Sequence, residues 1–192
     1  MEIKIFNRNV TVRTVALVLS AFTLIAFHFP VFKYAANNIE TVLNRVLIIG
    51  GAAIIMLALN YLVYYALLYL GRIVGKILLA LTFIGNAIAL YFINTYEVLI
   101  TDKMMGNVFN TRYSEASAFF SYVAILYIVI LGILPCIYLF RCKIKYDTFK
   151  RFSKNLGIAL LVAIVGALMN MSNFTWVDRH APKVGSMLMP WS

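Results

Sequence analysis

The stretch VLIIGGAAIIMLALNYLVYYALLYL, residues 46–70, runs for 25 residues without a charged side chain. About 20 helical residues cross a hydrocarbon layer, so this segment alone is long enough to span a membrane. Helix is the backbone it demands, because an open strand would leave N–H and C=O groups unpaired in lipid and the stretch lacks the alternation of a barrel strand. Four further apolar runs resemble it, at 14–31, 73–93, 119–140 and 156–171. The last is short, which fits little tilt or a partly interfacial position. Across all 192 residues, 63% are hydrophobic and 12% charged, a balance that excludes an ordinary soluble domain. The expected fold class is all-α: an integral membrane bundle of five transmembrane helices with short extracytoplasmic interfacial helices.

Seventeen Lys and Arg against seven Asp and Glu give a net charge of +10, which in a soluble chain would suggest a nucleic-acid partner. In a membrane protein the basic residues first report orientation. With the N-terminus in the cytoplasm, eleven of the seventeen fall inside, at Lys4, Arg8, Arg13, Arg72, Lys76 and from Arg141 to Lys154. Six basic and five acidic residues fall outside, leaving about +9 inside and +1 outside. The expected placement is N-terminus cytoplasmic and C-terminus on the outer side of the membrane, with no nucleic-acid partner. The first run ends in FHFPVFKYAANN and offers no small-x-small cleavage site, so it reads as a retained anchor.

Several features argue for a packed bundle. LGRIVGK, residues 70–76, makes a tight turn that forces spans two and three to be antiparallel neighbours, with Gly71 and Gly75 allowing close approach. Gly132 and Pro135 should kink the fourth span. Ala159, Ala163 and Ala167, with Gly166 beside them, offer the fifth span a face of small residues. No charged residue lies at the centre of a span, which weighs against a proton pump or ion-coupled transporter. Asn60, Asn86, Asn94, Asn170 and Tyr64 within the spans are expected to make interhelical hydrogen bonds. His28 and His180 are too far apart in sequence to suggest a metal pair, and Cys136 and Cys142 read as resting thiols.

The outer connections are the first, at 32–45, which fits a short interfacial helix, and a longer one at 94–118. Polar residues concentrate at its end, in MMGNVFNTRYSEASAFFS, residues 104–121. Two readings of this stretch are open. In one, Thr111 caps a helix that runs into the fourth span, and Glu115 sits in its first turn, where the dipole favours an acid. In the other, Asn107, Thr111 and Glu115, four residues apart, form a polar stripe at headgroup depth. There the carboxylate pairs with an ethanolamine ammonium and the carboxamide donates to a phosphate oxygen.

The order Asn107-Val108-Phe109, Thr111, Glu115-Ala116, together with the five-span layout, resembles the N-terminal membrane domain of the bacterial phosphoethanolamine transferases, a family that includes lipid A modifying, polymyxin-resistance enzymes. Two positions depart from its pattern: Arg112 stands where Asp usually follows the Thr, and Asp102 lies one residue nearer to Asn107. The resemblance implies that residues 1–175 are a membrane domain and 176–192 the start of a linker toward an outer catalytic domain. That domain, of alkaline phosphatase and sulfatase type, would use a zinc-bound threonine to pass phosphoethanolamine from phosphatidylethanolamine to a lipid A-like acceptor. It also implies that Asn107, Glu115 and Thr111 are substrate-binding. No catalytic residue and no cofactor is expected within these 192 residues, zinc belonging to the missing domain, so no turnover by the chain alone is expected. A non-enzymatic five-span assembly protein, or a small transporter component, is the alternative.

Overall fold

The computed structural model describes residues 9–96, 121–185 and 187. Its backbone is helical almost throughout. A short strand β1 (Asn9–Thr11) leads into α1 (Val12–Phe27), α2 (Phe29–Asn38), α3 (Val42–Leu70) and α4 (Val74–Tyr96). After the undescribed segment come α5 (Tyr122–Tyr127), a π-helical turn (Ile128–Ile133) and α6 (Leu134–Arg141), which form one continuous span. Strand β2 (Lys143–Lys145), α7 (Phe149–Met169), a 3-10 turn (Met171–Asn173) and α8 (Phe174–Gly185) complete the chain.

Among the described residues four helices are each long and apolar enough to cross a membrane: α3, α4, the α5–α6 span and α7. The pair α1 and α2 qualifies as a fifth when taken together, although it bends by 51° at the junction. The expected first span at 14–31 is therefore not straight. Helix α1 stops at Phe27 because Pro30, in the first turn of α2, cannot continue the hydrogen-bond ladder of the helix before it. The interfacial helix expected at 32–45 starts at Phe29 instead, and α3 begins four residues before its uncharged run, at Val42.

The fifth span also differs from expectation. It is not the short run 156–171 but the 21 residues of α7, because the helix recruits Lys150, Arg151 and Lys154 into its opening turns. Cations at a helix N-terminus oppose the macrodipole. Asp147, just before the N-cap Thr148, offsets them with a carboxylate 3.7 Å from Arg151. Only 11% of the apolar window of α7 is buried by protein, so Leu161, Ile164, Val165 and Leu168 face outward where lipid would lie.

The most extensive pairing is α3 against α7. It centres on Gly51 and Gly166: a Cβ added to Gly166 would lie 3.0 Å from the Gly51 carbonyl oxygen. The small face of α7 is thus real but rotated from the alanine repeat, since Ala159 and Gly166 are buried while Ala167 is exposed. The α3–α4 turn is equally tight, because a Cβ on Gly75 would lie 3.0 Å from Leu68 Cα.

The fourth span does not kink sharply at Pro135. It widens instead, the Leu134 N–H reaching back five residues to the Val129 carbonyl. An ordinary α-turn would press the proline ring on the carbonyl four residues earlier, and the π turn relieves that conflict. Gly132 lets this turn lie against α4, where an added Cβ would meet Ile84 Cα at 3.3 Å.

At one end of the bundle β1 pairs in parallel with β2, aligning Asn9 with Lys143 and Thr11 with Lys145. This basic end also gathers the starts of α1, α4 and α7. Asp147 ties α1 and α7 to the end of α3: its carboxylate lies 3.0 Å from Arg13 Nε and accepts a 3.0 Å hydrogen bond from Tyr65 Oη, which in turn accepts from Asn155 at 3.2 Å.

The core between α1, α3 and α4 is aromatic. Phe22, Phe27, Tyr64 and Phe83 pack edge-on or tilted at centroid distances of 5.8–6.4 Å. Tyr64 makes the interhelical bond expected of it, to the Thr23 hydroxyl at 2.9 Å, whereas Asn60 bonds within its own helix, to the Met56 carbonyl at 2.8 Å. Replacing Tyr64 with Phe keeps the ring and strands the buried Thr23 hydroxyl. It should cost about 1 kcal/mol, read as a lower detergent melting temperature, with Thr23→Val partly restoring it.

Candidate functional site at the loop end

The end opposite the basic one carries the termini of α2, α4 and α7, the start of α5, and α8. Asn107, Thr111 and Glu115 belong to the segment 97–120, outside the described residues, as do Asp102 and Arg112. The helices that hold this segment at both ends are described. Tyr91 Oη on α4 and Ser121 Oγ lie 2.9 Å apart, and Asn94 Nδ2 donates to Tyr127 Oη at 3.1 Å. The rings of Tyr91 and Tyr127 meet edge-on at 5.8 Å.

Ser121 has two tasks. Its backbone is extended, and its hydroxyl accepts the Ala124 N–H at 3.2 Å, the bond of an N-cap. The fourth span therefore starts at Tyr122 and not at 119, and a helix begun at Thr111 does not run unbroken into it. The same hydroxyl meets Tyr91, so helix capping and helix pairing share one atom. The end of α4 and the start of α5, which flank the segment 97–120, are thereby held together.

The other half of this end is apolar. Arg45 closes the α2–α3 corner with a two-pronged grip on the Ile39 carbonyl, Nε at 3.1 Å and Nη2 at 2.7 Å. Trp176 Nε1 donates to the Asn38 carbonyl at 3.2 Å, and its ring stacks on His180 at 4.2 Å. Part of the stretch expected to begin a linker, residues 176–192, is thus helical and docked on α2. Between α2, α3, the end of α7 and α8 lies a cavity of about 440 Å³, lined by Val31, Ile48, Ala52, Phe174 and Trp176 among others.

Neither histidine is placed as a metal ligand. His28 is buried with Nδ1 3.2 Å from the Thr23 carbonyl, and His180 Nδ1 donates to the Trp176 carbonyl at 2.8 Å. Among the described residues no three His, Cys, Asp or Glu side chains gather to hold a metal ion.

Sequence reasoning missed the Tyr91–Ser121 bond and the Asp147 cluster. The Tyr91–Ser121 bond and the Asp147–Tyr65 and Asp147–Arg13 contacts join residues 30 or more apart in sequence and have no local signature. The hint for Asp147 was its isolation, as the one acid between Arg141 and Lys154.

Comparison with known proteins agrees with this architecture. A family model described as "Phosphoethanolamine transferase EptA/EptB" matches residues 62–192. The phosphoethanolamine transferase EptA of Helicobacter pylori is 27% identical over 168 residues, 88% of this chain and 32% of that protein. The phosphatidylethanolamine transferase Mcr-1 of Escherichia coli is 25% identical over 162 residues, 81% of this chain and 28% of that protein. The solved integral membrane lipooligosaccharide phosphoethanolamine transferase A (EptA) from Neisseria meningitidis superposes with a TM-score of 0.82 at 18% identity, covering 95% of this chain and 35% of that one, and so shares the fold. The chain spans about a third of the length of these relatives.

Proposed function

The chain belongs to the EptA/EptB phosphoethanolamine transferase family, and from that premise we propose that it anchors an outer catalytic domain at the inner membrane and presents lipid substrates to it. The donor is phosphatidylethanolamine and the acceptor a lipid A-like molecule. The N-terminus is cytoplasmic, and the segment 97–120 and the C-terminus are periplasmic. Zinc in the following domain supplies an activated nucleophile. The residues of this chain hold the lipid for it.

The observation that carries this reading is the pairing of Tyr91 with Ser121, which seats both ends of the 97–120 segment on neighbouring helices at one membrane face. A zwitterionic headgroup needs an acid for its ammonium and a neutral donor for its phosphate, because a cation in place of the donor would change the balance of charge. Glu115 supplies the first and Asn107 the second, while Thr111 holds the segment's backbone or adds a hydroxyl to the phosphate. The apolar cavity beside Trp176 lies at the same end, and its lining suits an acyl chain of either lipid.

Glu115→Ala in the full-length parent tests this. A charge-assisted hydrogen bond contributes about 1.5–3 kcal/mol, so transfer from phosphatidylethanolamine should fall about 10- to 100-fold. Insertion and topology, followed by cysteine labelling of the two faces, should be unchanged. Transfer at the wild-type rate in a correctly inserted variant removes the headgroup role.

A further inference from the structure

A concave basic site lies at the end of the molecule opposite the 97–120 segment's attachment points. The α3–α4 turn and the segment leaving α6 enclose a cavity of about 320 Å³ whose lining includes Arg72, Lys76 and Lys143 and no acidic residue. Like charges gathered at one concave site repel unless an anion joins them. The neighbouring carboxylate, Asp147, is turned away to Arg13, Arg151 and Tyr65.

The cations are held in place by weak partners. Lys76 Nζ donates to the Cys142 carbonyl at 3.0 Å and sits 5.9 Å from the centre of the Phe140 ring. An ammonium has three N–H donors, so this carbonyl leaves it capacity for an anion. The Arg72 guanidinium lies over the Tyr146 ring at 5.7 Å, a stacking contact that engages its face and leaves its edge donors for a phosphate. The Tyr146 hydroxyl is buried with no hydrogen-bond partner among the described residues. Burial pushes its pKa above the ordinary phenol value, more than Arg72 draws it down, so it stays a protonated donor near neutral pH.

The flanks of the cavity settle what kind of anion fits. Ile73 is 69% exposed and Phe140 50% exposed, and both line the same cavity as the three cations. Ile77 and Ile137 continue that exposed apolar surface along α4 and α6. A water-soluble anion would satisfy the charges and leave this surface bare, whereas an amphiphile covers both. We propose that this cavity binds the phosphate of an anionic phospholipid from the leaflet at the basic end of the bundle, with its acyl chains along Ile73, Ile77 and Phe140. A phospholipid and free phosphate share the anionic phosphate group, and their relative affinities distinguish the two.

The experiment uses the full 192-residue chain in an uncharged maltoside detergent, titrated separately with short-chain phosphatidylglycerol, short-chain phosphatidylcholine and inorganic phosphate, with binding read by native mass spectrometry. Phosphatidylglycerol should bind at least 10-fold more tightly than phosphatidylcholine. The double variant Arg72→Gln/Lys76→Gln should weaken phosphatidylglycerol binding about 10- to 30-fold, while Lys150→Gln/Lys154→Gln, which removes the same charge from α7, changes it less than about 2-fold. Because Lys76 also holds the Cys142 carbonyl, the exposed Lys143→Gln provides a variant that leaves the fold untouched, with an expected loss of about 3- to 5-fold. Equal losses in the two double variants would reduce the site to a diffuse basic field and overturn the proposal. So would inorganic phosphate binding as tightly as phosphatidylglycerol, or unaltered binding in a folded Lys143→Gln chain.

Discussion

Gly166→Leu should separate α3 from α7 and destabilise the bundle by about 3 kcal/mol or more, beyond the usual cost of overpacking a core. At this crossing the two backbones supply each other's contacts. A Cβ at position 166 would lie 3.0 Å from the Gly51 carbonyl oxygen and 2.9 Å from Ile55 Cγ1, and one at position 51 would lie 2.9 Å from the Gly166 carbonyl oxygen. Lipid is as apolar as the side chains, so helix association in a membrane depends on such close packing more than on hydrophobic transfer. Few lateral contacts remain to compensate, because α7 is the least buried of the spans. Gly166→Ala should show a smaller loss of about 1 kcal/mol. Gly157→Ala, on the same helix with open space around its added Cβ, should be neutral or slightly stabilising. Thermal unfolding in detergent, followed through the fluorescence of Trp176, orders the three. If Gly166→Leu melts with the wild type, the α3–α7 crossing does not depend on close backbone approach at this glycine.

Asp147→Ala should be the most damaging single change at the basic end, at about 2–4 kcal/mol. The Asp147 side chain is 5% exposed and serves Arg13 from α1, Tyr65 from α3 and Arg151 from α7 at once. Its removal leaves a guanidinium and a phenol facing a gap and returns the cations at the start of α7 to an unfavourable dipole. Asp147→Asn keeps an acceptor for Tyr65 but no charge, and should fall midway. Urea-dependent unfolding in mixed micelles measures both. A loss from Asp147→Ala no larger than that from the exposed Lys150→Ala would show that the three helices do not depend on this carboxylate.

The spans were legible because their cause is local. Twenty-five uncharged residues from 46 to 70 admit one solution in lipid, and the turn at 70–76 fixes their neighbour. Their ends were less legible, since a helix continues past the apolar run wherever its polar groups find partners. Arg45 does so on the Ile39 carbonyl inside α3, and Arg151 on Asp147 inside α7. The small-residue stripe of α7 could be read from the alanines, but its facing direction could not, because the partner Gly51 sits on another helix. The pairing of β1 with β2 joins residue 9 to residue 143 and has no sequence signal in either strand. At the loop end, the residues named for substrate lie outside the described ones, and what became visible is the frame around them. Tyr91 and Ser121 are unremarkable in sequence until α4 and α5 are known to be adjacent.

The widened turn at Ile128–Ile133 has a further effect on how the fourth span presents itself. One surplus residue advances the azimuth of everything after it by roughly 100° relative to an unbroken helix. Tyr127, which belongs to the clamp at the loop end, and Leu139, buried toward the basic end, therefore follow different phases. A helical wheel drawn straight from 122 to 141 would paint lipid-facing positions on the protein side in one half. Scanning mutagenesis of this span will make sense only as two wheels, joined out of step at the π turn.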